Sequence, residues 1–421
     1  MKNGHVLATY LIETPYALEY AAAVMAGEQS TGTFVSVPGE TEALKEMHGA
    51  EIVAIKELES VKRPTLPGVK LPNNDTFRDF RRGEVVLSFP FYNFGPSIPN
   101  LLATVAGNLY ELQEFSGLRL IDIELPKAFM ENYLGPQFGI EGTRRLTNVY
   151  DRPLIGTIVK PSIGLPLDEL RILVRDLALS GIDFIKDDEL NANPPYAPLK
   201  ERVKVVMEEI ERVSDKTGKK VMYAFNITGD IDELRDNHDA VVAAGGNCVM
   251  VGINSVGYAG VSYLRKYSQV PIHGHRNQWG AMTRCPLLGM DFRVYQKLCR
   301  LAGVDHLHTN GLNSKFYESN ESVIRSVQDC LTPMFDEDTI MPVLSSGQWA
   351  GTAIESFRAM NTVDLIHLAG GGIMAHPGGV AAGVESMKQG WEAALSGSTL
   401  ESYAQTHQEL ALAIEKFGRK K

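Results

Sequence analysis

The chain has 421 residues, and its 41 lysines and arginines against 51 aspartates and glutamates give a formal net charge of −10. A hydrophobic fraction of 44% and a charged fraction of 22% are typical of globular proteins and exclude disordered, collagen-like and coiled-coil chains. No apolar run approaches the ~20 residues that span a bilayer. The sequence also contains no long basic run of the kind that binds nucleic acid. We therefore expect neither membrane nor nucleic-acid binding. The length predicts two domains.

The first part of the chain mixes strand and helix patterns in no regular order. The elements predicted there are strands at 6–12, 51–55 and 83–89 and helices at 15–25 and 98–112. Helices on one face of an antiparallel sheet satisfy such a mixture. We therefore predict an N-terminal α+β domain of ferredoxin-like type over residues 1–135.

After about residue 150 short apolar strands alternate with helical stretches, which predicts βαβ units and a parallel sheet. The eight strand candidates are 154–160, 184–187, 221–226, 248–252, 270–273, 305–308, 341–345 and 365–369. Eight such units predict an α/β domain of the (β/α)8 TIM-barrel type over residues 145–421. An open doubly wound sheet is the alternative, and it ranks second because the first strand lacks a GxGxxG dinucleotide motif.

Polar and ionisable residues close nearly every one of these strands. They include Lys160, Lys186 to Glu189, Asn226, His273, His275, Arg276, His306, His308, Ser345 and the glycines 370–372. In a barrel these positions converge on one rim, where active sites lie. Because a charged group at the end of a buried strand is costly unless it is paired or binds something, their agreement predicts a functional site.

The segment Lys186-Asp187-Asp188-Glu189 carries the strongest chemical signal. Strand alternation places Lys186 and Asp188 on one face, and Glu189 can turn back where the strand ends. The two carboxylates offer the hard oxygen ligands that suit Mg²⁺. A lysine beside them fits as a counter-ion, or as a carbamate formed with CO₂ that supplies a third anionic oxygen. A salt-bridged strand end is the alternative reading.

Two further groups of residues suggest an anionic, phosphorylated ligand. The backbone N–H groups of residues 370–372 can form an anion-binding nest after the eighth strand, although a tight turn is an equally simple role for three glycines. Arg276 and His308, with Ser345, can hold a second anion.

Lys315 lies in a Gly/Asn/Ser-rich loop that suits a mobile lid carrying a cation, with a solvated loop lysine as the alternative.

The four cysteines, Cys248, Cys285, Cys299 and Cys330, form no CxxC pair and match no zinc-module spacing. Free thiols are typical of a reducing compartment. We therefore expect a cytoplasmic protein.

These motifs resemble the RuBisCO large-subunit superfamily and, more narrowly, its form IV RuBisCO-like proteins, over roughly residues 5–410. The segments that carry the resemblance are SGIDFIKDDE at 180–189, GTIVKP at 156–161, HGHR at 273–276 and DHLH at 305–308. The resemblance implies that Lys186 is the carbamylated (N6-carboxylated) lysine and that Asp188 and Glu189 complete one Mg²⁺ site per active site. It implies catalytic roles for Lys160, His275 and the lid lysine Lys315. It implies substrate and phosphate contacts for Arg276, His308, Ser345, Gly347, Gly371 and Gly372.

The N-terminal part shares the resemblance. The segment EQSTGTF at 28–34 is similar to the family segment with a catalytic glutamate, here Glu28, and a phosphate-binding threonine, here Thr33. Asn108 matches the family's active-site asparagine. In the family these residues reach into the active site of a partner chain. The resemblance thus implies a homodimer or higher homo-oligomer with shared active sites.

The sequence departs from true carboxylases at four positions. Ser162 stands where the family has a second first-strand lysine, and Trp279 stands where a histidine follows the His-Arg pair. Ile158 replaces a residue that contacts the metal-bound substrate, and Phe34 stands where tryptophan is usual. These changes remove proton-transfer and hydrogen-bonding groups. We therefore do not expect carboxylation of ribulose bisphosphate.

The retained cations direct the choice among RuBisCO-like proteins. The methionine-salvage enolases largely lack the residues matched here by Arg276, His308 and Lys315. A retained lid lysine suits a substrate that carries a carboxylate. The resemblance is therefore closest to the lyases of apiose (carbohydrate) catabolism, which decarboxylate the β-keto acid 3-oxo-isoapionate 4-phosphate or transfer and hydrolyse its carboxyl group. The alternatives are an enolase or isomerase of a phosphorylated ketose, such as a methylthio-sugar phosphate, and a non-catalytic sugar-phosphate-binding paralogue.

Overall fold

The computed structural model of the chain describes residues 4–32, 37–73 and 79–418. The chain divides into two compact units, the first made of residues 1–134 and 278–301 and the second of residues 135–277 and 302–421. From the sequence we predict domains at residues 1–135 and 145–421. In the structure, residues 278–301 also belong to the first unit. Within the described ranges, none of the helices is both long and apolar enough to cross a membrane.

The described residues form thirteen strands. In chain order they are β1 (His5–Thr14), β2 (Glu51–Val61), β3 (Phe80–Pro90), β4 (Gly117–Glu124), β5 (Leu154–Ile158), β6 (Phe184–Lys186), β7 (Met222–Asn226), β8 (Cys248–Gly252), β9 (Ile272–His275), β10 (Leu288–Met290), β11 (His306–His308), β12 (Met341–Leu344) and β13 (Ile366–Leu368).

Sixteen α-helices occur in the same described part of the chain. They are α1 (Leu18–Glu28), α2 (Glu42–His48), α3 (Ile98–Val105), α4 (Gly139–Thr147), α5 (Leu167–Leu179), α6 (Leu199–Thr217), α7 (Glu233–Ala243), α8 (Ile253–Arg265), α9 (Trp279–Thr283), α10 (Phe292–Ala302), α11 (Asn320–Leu331), α12 (Ala353–Met360), α13 (Gly370–Met374), α14 (Gly379–Ser396), α15 (Leu400–Ala404) and α16 (Gln408–Phe417). Short 3₁₀ turns lie at Phe91–Asn93, Asn108–Glu111, Lys127–Glu131 and Ala350–Thr352.

The first unit is built on a five-stranded sheet with the order β10-β4-β1-β3-β2. Strand β1 pairs antiparallel with both β3 and β4, whereas β10 adds to β4 in parallel. Alternate residues of β1, from Val6 to Ile12, are fully buried, so the period-2 pattern places one face of the strand in the core. The prediction of an N-terminal α+β domain is confirmed. Strands β4 and β10 were not among the predicted elements.

The second unit is a closed barrel of eight parallel strands in the order β11-β12-β13-β5-β6-β7-β8-β9. Each of the eight strands predicted from the sequence is present, so the (β/α)8 barrel is confirmed and the open-sheet alternative is wrong. The interior holds a cluster of buried apolar side chains that includes Leu154, Phe184, Met222, Met250 and Met341. Strands covered on both faces read as continuous apolar runs, which is why the sequence pattern found them.

His367 on β13 is a fully buried imidazole with a defined proton position. The indole Nε1–H of Trp391 donates to His367 Nδ1 over 2.8 Å, and an indole N–H can only donate. Nδ1 must therefore be unprotonated, so the proton sits on Nε2, which lies 3.3 Å from Gln348 Oε1. Burial lowers the pKa of His367 to about 3. Protonation of Nδ1 would break the Trp391 bond.

We expect this histidine to make the fold acid-sensitive. Its pKa is about 6.5 in the unfolded chain and lower in the fold, so below about pH 6.5 the unfolded state binds the proton first. Stability is therefore full above that pH and falls as the pH drops, by about 2 kcal/mol between pH 6.5 and 5 for one such group. In His367→Gln the thermal midpoint should drop less between pH 7 and 5 than in the wild type. A Met387→Leu variant, which perturbs the buried α14 without a titratable group, should keep the wild-type difference; an equal difference in His367→Gln would contradict the assignment.

Candidate active site at the ends of the barrel strands

Lys186 is the last residue of β6, and its side chain is completely buried. Its Nζ donates to the carbonyl oxygen of Asp187 over 2.7 Å and lies 3.6 Å from Glu189 Oε2. Burial lowers the pKa of the Lys186 amine against the opposing charges of Glu189 and Asp188. The site therefore contains an amine whose uncharged, nucleophilic form is favoured relative to an exposed lysine.

Asp188 and Lys160 form the next part of the site. Lys160 Nζ donates to Asp188 Oδ2 over 2.6 Å and to Ser162 Oγ over 2.7 Å. The Asp188 carboxylate is almost fully buried, whereas the Lys160 side chain is 40% exposed. The barrel rim thus brings Lys160, Lys186, Asp188 and Glu189 together, with cations and carboxylates alternating.

His275, at the end of β9, completes this group. Its Nε2 lies 3.5 Å from Glu189 Oε2, and its Nδ1 accepts a hydrogen bond from the backbone N–H of Asn277 over 3.2 Å. Burial and the charge of Lys186 lower the pKa of His275, so the neutral imidazole is favoured at neutral pH. Because Nδ1 is an acceptor, the single proton of the neutral ring lies on Nε2 and points toward Glu189.

The backbone of the two carboxylates is held by Asn226, at the end of β7. Its Nδ2 donates to the carbonyl oxygens of Asp188 and Glu189 over 3.1 and 3.2 Å. The sequence places Asn226 at a strand end, but the predicted site did not include it. Its role becomes visible only when β6 and β7 are neighbours in the barrel.

Asp187 points away from its acidic neighbours into a buried network. Its Oδ1 accepts from Tyr223 Oη over 2.7 Å, and its Oδ2 accepts from Arg202 Nε over 3.1 Å and from the backbone N–H of Asn226 over 2.9 Å. Arg202 on α6 is fully buried. The acidic segment therefore divides, with Asp187 serving the support and Asp188 and Glu189 facing Lys160 and His275.

Arg276 has an acidic partner that the sequence did not indicate. Its Nη2 donates to Glu318 Oε2 over 2.7 Å, and Asn310 Nδ2 donates to the same oxygen over 2.7 Å. Both Arg276 and Glu318 are largely buried. An anion bound by Arg276 would share this guanidinium with a carboxylate that lies 42 positions along the chain.

His308 and Ser345 lie side by side at the ends of β11 and β12. His308 Nδ1 is 3.1 Å from Ser345 Oγ, and His308 Nε2 is 2.8 Å from His273 Nε2. The His308 and His275 rings also meet edge to face, with centroids 4.4 Å apart. Both nitrogens of His308 therefore have partners within the protein.

The loop lysine and the glycines of the predicted anion sites occupy the same rim. Gly347 has a φ of +80°, and a Cβ built on it would lie 3.6 Å from the backbone nitrogen of Lys315. The Lys315 side chain is exposed, with Nζ 5.2 Å from the centre of the Phe316 ring. Gly371 faces open space at the start of α13, whereas a Cβ on Gly372 would collide with the carbonyl oxygen of Gln348 at 2.5 Å. Close packing alone requires glycine at 372.

In the first unit, Glu28 and Asn108 lie next to each other. Asn108 Nδ2 donates to Glu28 Oε1 over 3.3 Å, and both side chains are exposed. Thr33 and Phe34 lie outside the described residues. Trp279, also in the first unit, is buried against Tyr295 with ring centroids 4.5 Å apart. An aromatic packing role thus accounts for tryptophan at this position.

The rim offers carboxylate oxygens that suit a hard divalent cation, but the described residues offer only two carboxylates at this position. Among residues 4–32, 37–73 and 79–418, no three His, Cys, Asp or Glu side chains group as a metal site. Asp188 and Glu189 supply two carboxylates beside the buried amine of Lys186. The carbamate on Lys186 that the family resemblance implies would add a third anionic oxygen at this position.

Comparisons with known proteins bear on the whole chain. Residues 139–417 match the family model of the ribulose bisphosphate carboxylase large chain, catalytic domain, and residues 1–129 match that of its N-terminal domain. The chain is 49% identical over 415 residues to the 3-oxo-isoapionate-4-phosphate decarboxylase of Rhizobium etli, covering 98% of each chain. It is 50% identical over 414 residues to the 3-oxo-isoapionate-4-phosphate transcarboxylase/hydrolase of Xanthobacter autotrophicus, covering 98% of this chain and 99% of that protein.

Comparison with solved structures finds the same family as the sequence comparison. A rubisco-like protein from Burkholderia fungorum superposes with a TM-score of 0.92 at 45% identity, over 98% of this chain and 100% of that one. The dimeric archaeal Rubisco from Hyperthermus butylicus superposes with a TM-score of 0.86 at 28% identity, over 99% of this chain and 97% of that one.

Proposed function

This chain belongs to the ribulose bisphosphate carboxylase large-chain family, and from that premise we propose that it is a Mg²⁺-dependent RuBisCO-like lyase that removes CO₂ from a phosphorylated β-keto acid. The substrate we propose is 3-oxo-isoapionate 4-phosphate. The observation that carries this proposal is the group of Lys160, Asp188, Glu189 and His275 around the buried Lys186, in a chain 49% identical to a decarboxylase of that substrate.

Mg²⁺ would be held by Asp188, Glu189 and a carbamate of Lys186. The lowered pKa of the buried Lys186 favours its free amine, which adds to the carbon of CO₂ and loses a proton to give the anionic carbamate. The buried carboxylate of Asp188 and the partly buried one of Glu189 would then be metal ligands, with Lys160 still beside Asp188. When bound, Mg²⁺ supplies a Lewis-acid charge that stabilises negative charge developing on a substrate oxygen.

The remaining residues bind the substrate and move one proton. In decarboxylation the bond between the carboxylate and its carbon breaks, the electron pair passes into the adjacent ketone as an enolate, and CO₂ leaves. A proton must then reach the carbon that bore the carboxylate. Lys160 is the better donor, because it carries a charged ammonium paired with Asp188, whereas His275 is favoured in its neutral form.

The phosphate and the leaving carboxylate have separate candidate partners. The proposed phosphate and substrate contacts are Arg276, the exposed backbone at Gly371, and Gly347, Gly372, Ser345 and His308. Binding energy from these contacts, which are remote from the bond that breaks, would position the reacting end of the substrate. Lys315 would orient the carboxylate before it leaves, from an exposed position beside Gly347.

Asn226 should control metal affinity, although it is not a ligand. It fixes the carbonyls of Asp188 and Glu189, and partners that orient ligands are worth roughly 10- to 100-fold in metal affinity. We therefore expect Asn226→Ala to weaken Mg²⁺ activation by that factor while the kcat at saturating Mg²⁺ changes less. Titration of activity against Mg²⁺ measures the change. Asn247→Ala, which removes an asparagine that bonds the backbone at the other end of β7, is the matched control, and an equal shift in both variants would contradict the assignment.

We further propose a homodimer or larger homo-oligomer in which Glu28, Thr33 and Asn108 of one chain complete the partner's active site. Support comes from the exposure and adjacency of Glu28 and Asn108 and from the dimeric state named for the Hyperthermus butylicus protein. Mixing two inactive variants, Glu28→Ala and Lys186→Ala, should regenerate about a quarter of the wild-type activity if sites are shared, since heterodimers then hold one intact site.

Transcarboxylation followed by hydrolysis is the second candidate, because a relative 50% identical to this chain carries that name. Both reactions form the same enolate and differ in whether a nucleophile captures the carboxyl group. The deciding experiment is ¹³C NMR of the protein with Mg²⁺, bicarbonate and 3-oxo-isoapionate 4-phosphate. Loss of the labelled carboxyl carbon as CO₂ with a new C–H bond supports decarboxylation, and a second carboxylated product supports transcarboxylation.

Two outcomes of the same experiment would reject both candidates. Proton exchange or isomerisation without CO₂ would favour an enolase or isomerase of a phosphorylated ketose. An unchanged spectrum together with tight ligand binding that is indifferent to Mg²⁺ would favour a non-catalytic sugar-phosphate-binding paralogue.

A further inference from the structure

Three buried histidines on two adjacent barrel strands have no part in the proposed chemistry as metal ligands or proton donors. They are His273 on β9 and His306 and His308 on β11, and all three are almost completely buried. Barrel interiors are normally filled by branched apolar side chains. Because buried polar rings are costly unless each nitrogen has a partner, this row of imidazoles calls for an account beyond packing.

The three rings form a continuous chain of hydrogen bonds. His306 Nε2 is 2.8 Å from Thr143 Oγ1, and His306 Nδ1 is 3.3 Å from His273 Nδ1. His273 Nε2 is 2.8 Å from His308 Nε2, and His308 Nδ1 is 3.1 Å from Ser345 Oγ. The chain therefore runs from helix α4, through the barrel interior, to the rim that carries the candidate active site.

The direction of every bond in this chain follows from its first member. The single hydroxyl proton of Thr143 is donated to the carbonyl oxygen of Gly139, which can only accept. Thr143 Oγ1 must then accept from His306 Nε2–H. The Gly139 backbone is itself held, because its N–H and that of Phe138 donate to Asp305 Oδ1.

Each neutral ring has one proton, so the remaining positions follow in turn. Burial lowers the pKa of His306 to about 3 and those of His273 and His308 well below the ordinary value, so all three rings are neutral at pH 7. With Nε2 protonated, His306 Nδ1 accepts from His273 Nδ1–H. His273 Nε2 then accepts from His308 Nε2–H, and His308 Nδ1 is left to accept from the Ser345 hydroxyl.

The contacts at the rim end are compatible with this direction. Ser346 Oγ donates to Asn310 Oδ1 over 3.0 Å, and the orientation of the Asn310 amide is fixed because its Nδ2 donates to Glu318. The Ser346 proton is thus committed, so Ser346 has none to give Ser345 across their 3.5 Å separation. Ser345 is left free to donate to His308 Nδ1.

We infer that His306 and His273 are positioning residues which, held in one orientation by Thr143, set the proton arrangement of His308 and Ser345 at the active-site rim. In this arrangement His308 offers no N–H to a ligand, and the lone pairs of Ser345 Oγ face the rim as acceptors. The ligand group that meets this corner is one that donates a hydrogen bond, such as a hydroxyl. Of the contacts proposed above, Ser345 would thus meet a substrate hydroxyl, His308 would act through Ser345, and Arg276 and Gly371 would meet the phosphate oxygens.

The test reads the proton positions directly and requires no substrate. We would record ¹⁵N NMR spectra of the full-length protein labelled with [¹⁵N]histidine and assign His308 by its loss in His308→Gln. The expected wild-type result is a neutral His308 protonated on Nε2 only. A wild-type His308 protonated on Nδ1, or on both nitrogens at pH 7, would overturn the inference, whether or not the proposed function is correct.

A remote variant then tests the control exerted by Thr143. Thr143→Val removes the acceptor of His306 Nε2–H at the far end of the chain, so a fraction of His308 should shift its proton to Nδ1. The matched control is Thr147→Val on the same helix, because the Thr147 hydroxyl is buried and donates only to carbonyls of its own helix. A folded Thr143→Val protein with a wild-type His308 signal would overturn the role of Thr143.

The kinetic arm alone rests on the proposed function. A reversed Ser345 hydroxyl presents a proton and one lone pair to the substrate in place of two lone pairs. KM of the phosphorylated β-keto acid should therefore rise roughly two- to tenfold in Thr143→Val while kcat changes less. Thr147→Val should leave both constants unchanged. An unchanged KM despite the shifted His308 signal would show that substrate does not use this corner.

Discussion

Replacing Lys186 by alanine should abolish Mg²⁺-dependent turnover, with a loss of at least roughly 10³-fold. The variant removes the buried amine that we propose to provide the third anionic oxygen next to Asp188 and Glu189 in the metal site. Without the carbamate the proposed site keeps only the carboxylates of Asp188 and Glu189, so the metal would lose one of its three protein ligands. The measurement is initial rate against Mg²⁺ at saturating bicarbonate.

A half-buried lysine provides the matched control for Lys186→Ala. Lys388 on α14 also has its pKa lowered by burial, but its Nζ donates to the carbonyl oxygen of Ser180 and serves no proposed step. Lys388→Ala should keep near wild-type activity at temperatures where it is folded. The carbamate itself can be observed by ¹³C NMR after incubation with ¹³C-bicarbonate and should be missing in Lys186→Ala. If that variant retained a tenth or more of its turnover, Lys186 would not be a metal ligand.

Replacing Lys160 should produce the second-largest loss, about 10²- to 10⁴-fold in kcat, the usual range for a general acid. The expected result holds for Lys160→Ala and also for Lys160→Arg. Arginine would preserve the ion pair with Asp188 that the structure shows, but a guanidinium does not give up its proton at neutral pH. The pair of variants therefore separates proton delivery from charge balance.

Chemical rescue sharpens the Lys160 prediction. Added methylammonium should restore part of the turnover of Lys160→Ala, because the missing side chain leaves room beside Asp188 at a partly exposed position. The turnover of His275→Gln should be restored less by methylammonium, since the neutral His275 is a poor acid. Full activity in Lys160→Arg would show that the charge at this position matters and its proton does not.

The barrel was predictable from the sequence because its strands are buried on both faces. Segments such as Cys248–Gly252 read as short continuous apolar runs, and polar residues follow nearly all of the eight strands at the same rim. Errors of one or two residues occur at the ends, as where β5 stops at Ile158 although Lys160 was included. Lys160 lies beyond the strand, in the bend that follows it.

Strands β4 and β10 were missed for different reasons. β4 contains Arg119 and Asp122, which interrupt its apolar pattern, and it packs only one face in the core. β10 has three half-buried residues and pairs with β4 across more than 160 positions of sequence. Local patterns contain no information about such a distant pairing.

The candidate site shows the same division between local and distant information. Lys186, Asp188 and Glu189 are neighbours in sequence, so strand geometry alone indicated that they share a site. Glu318 beside Arg276 and Thr143 beside His306 come from distant segments, and nothing local marks them. The proton arrangement of the histidines could be derived only once the partner of every nitrogen was known.

The late strand β10 has a consequence for how the chain is made. Four strands of the first sheet are synthesised before the barrel begins, but β10 emerges from the ribosome only after β5 to β9. Until then the outer edge of β4 has no partner, and Arg119 lacks the carbonyls of Thr283 and Cys285 to which its guanidinium donates. An unpaired strand edge is a template for pairing with other chains. The first sheet of the nascent chain is therefore incomplete, with an edge open to association, while more than half of the barrel is being translated. Premature termination within that interval yields a product in which the edge of β4 is unpaired.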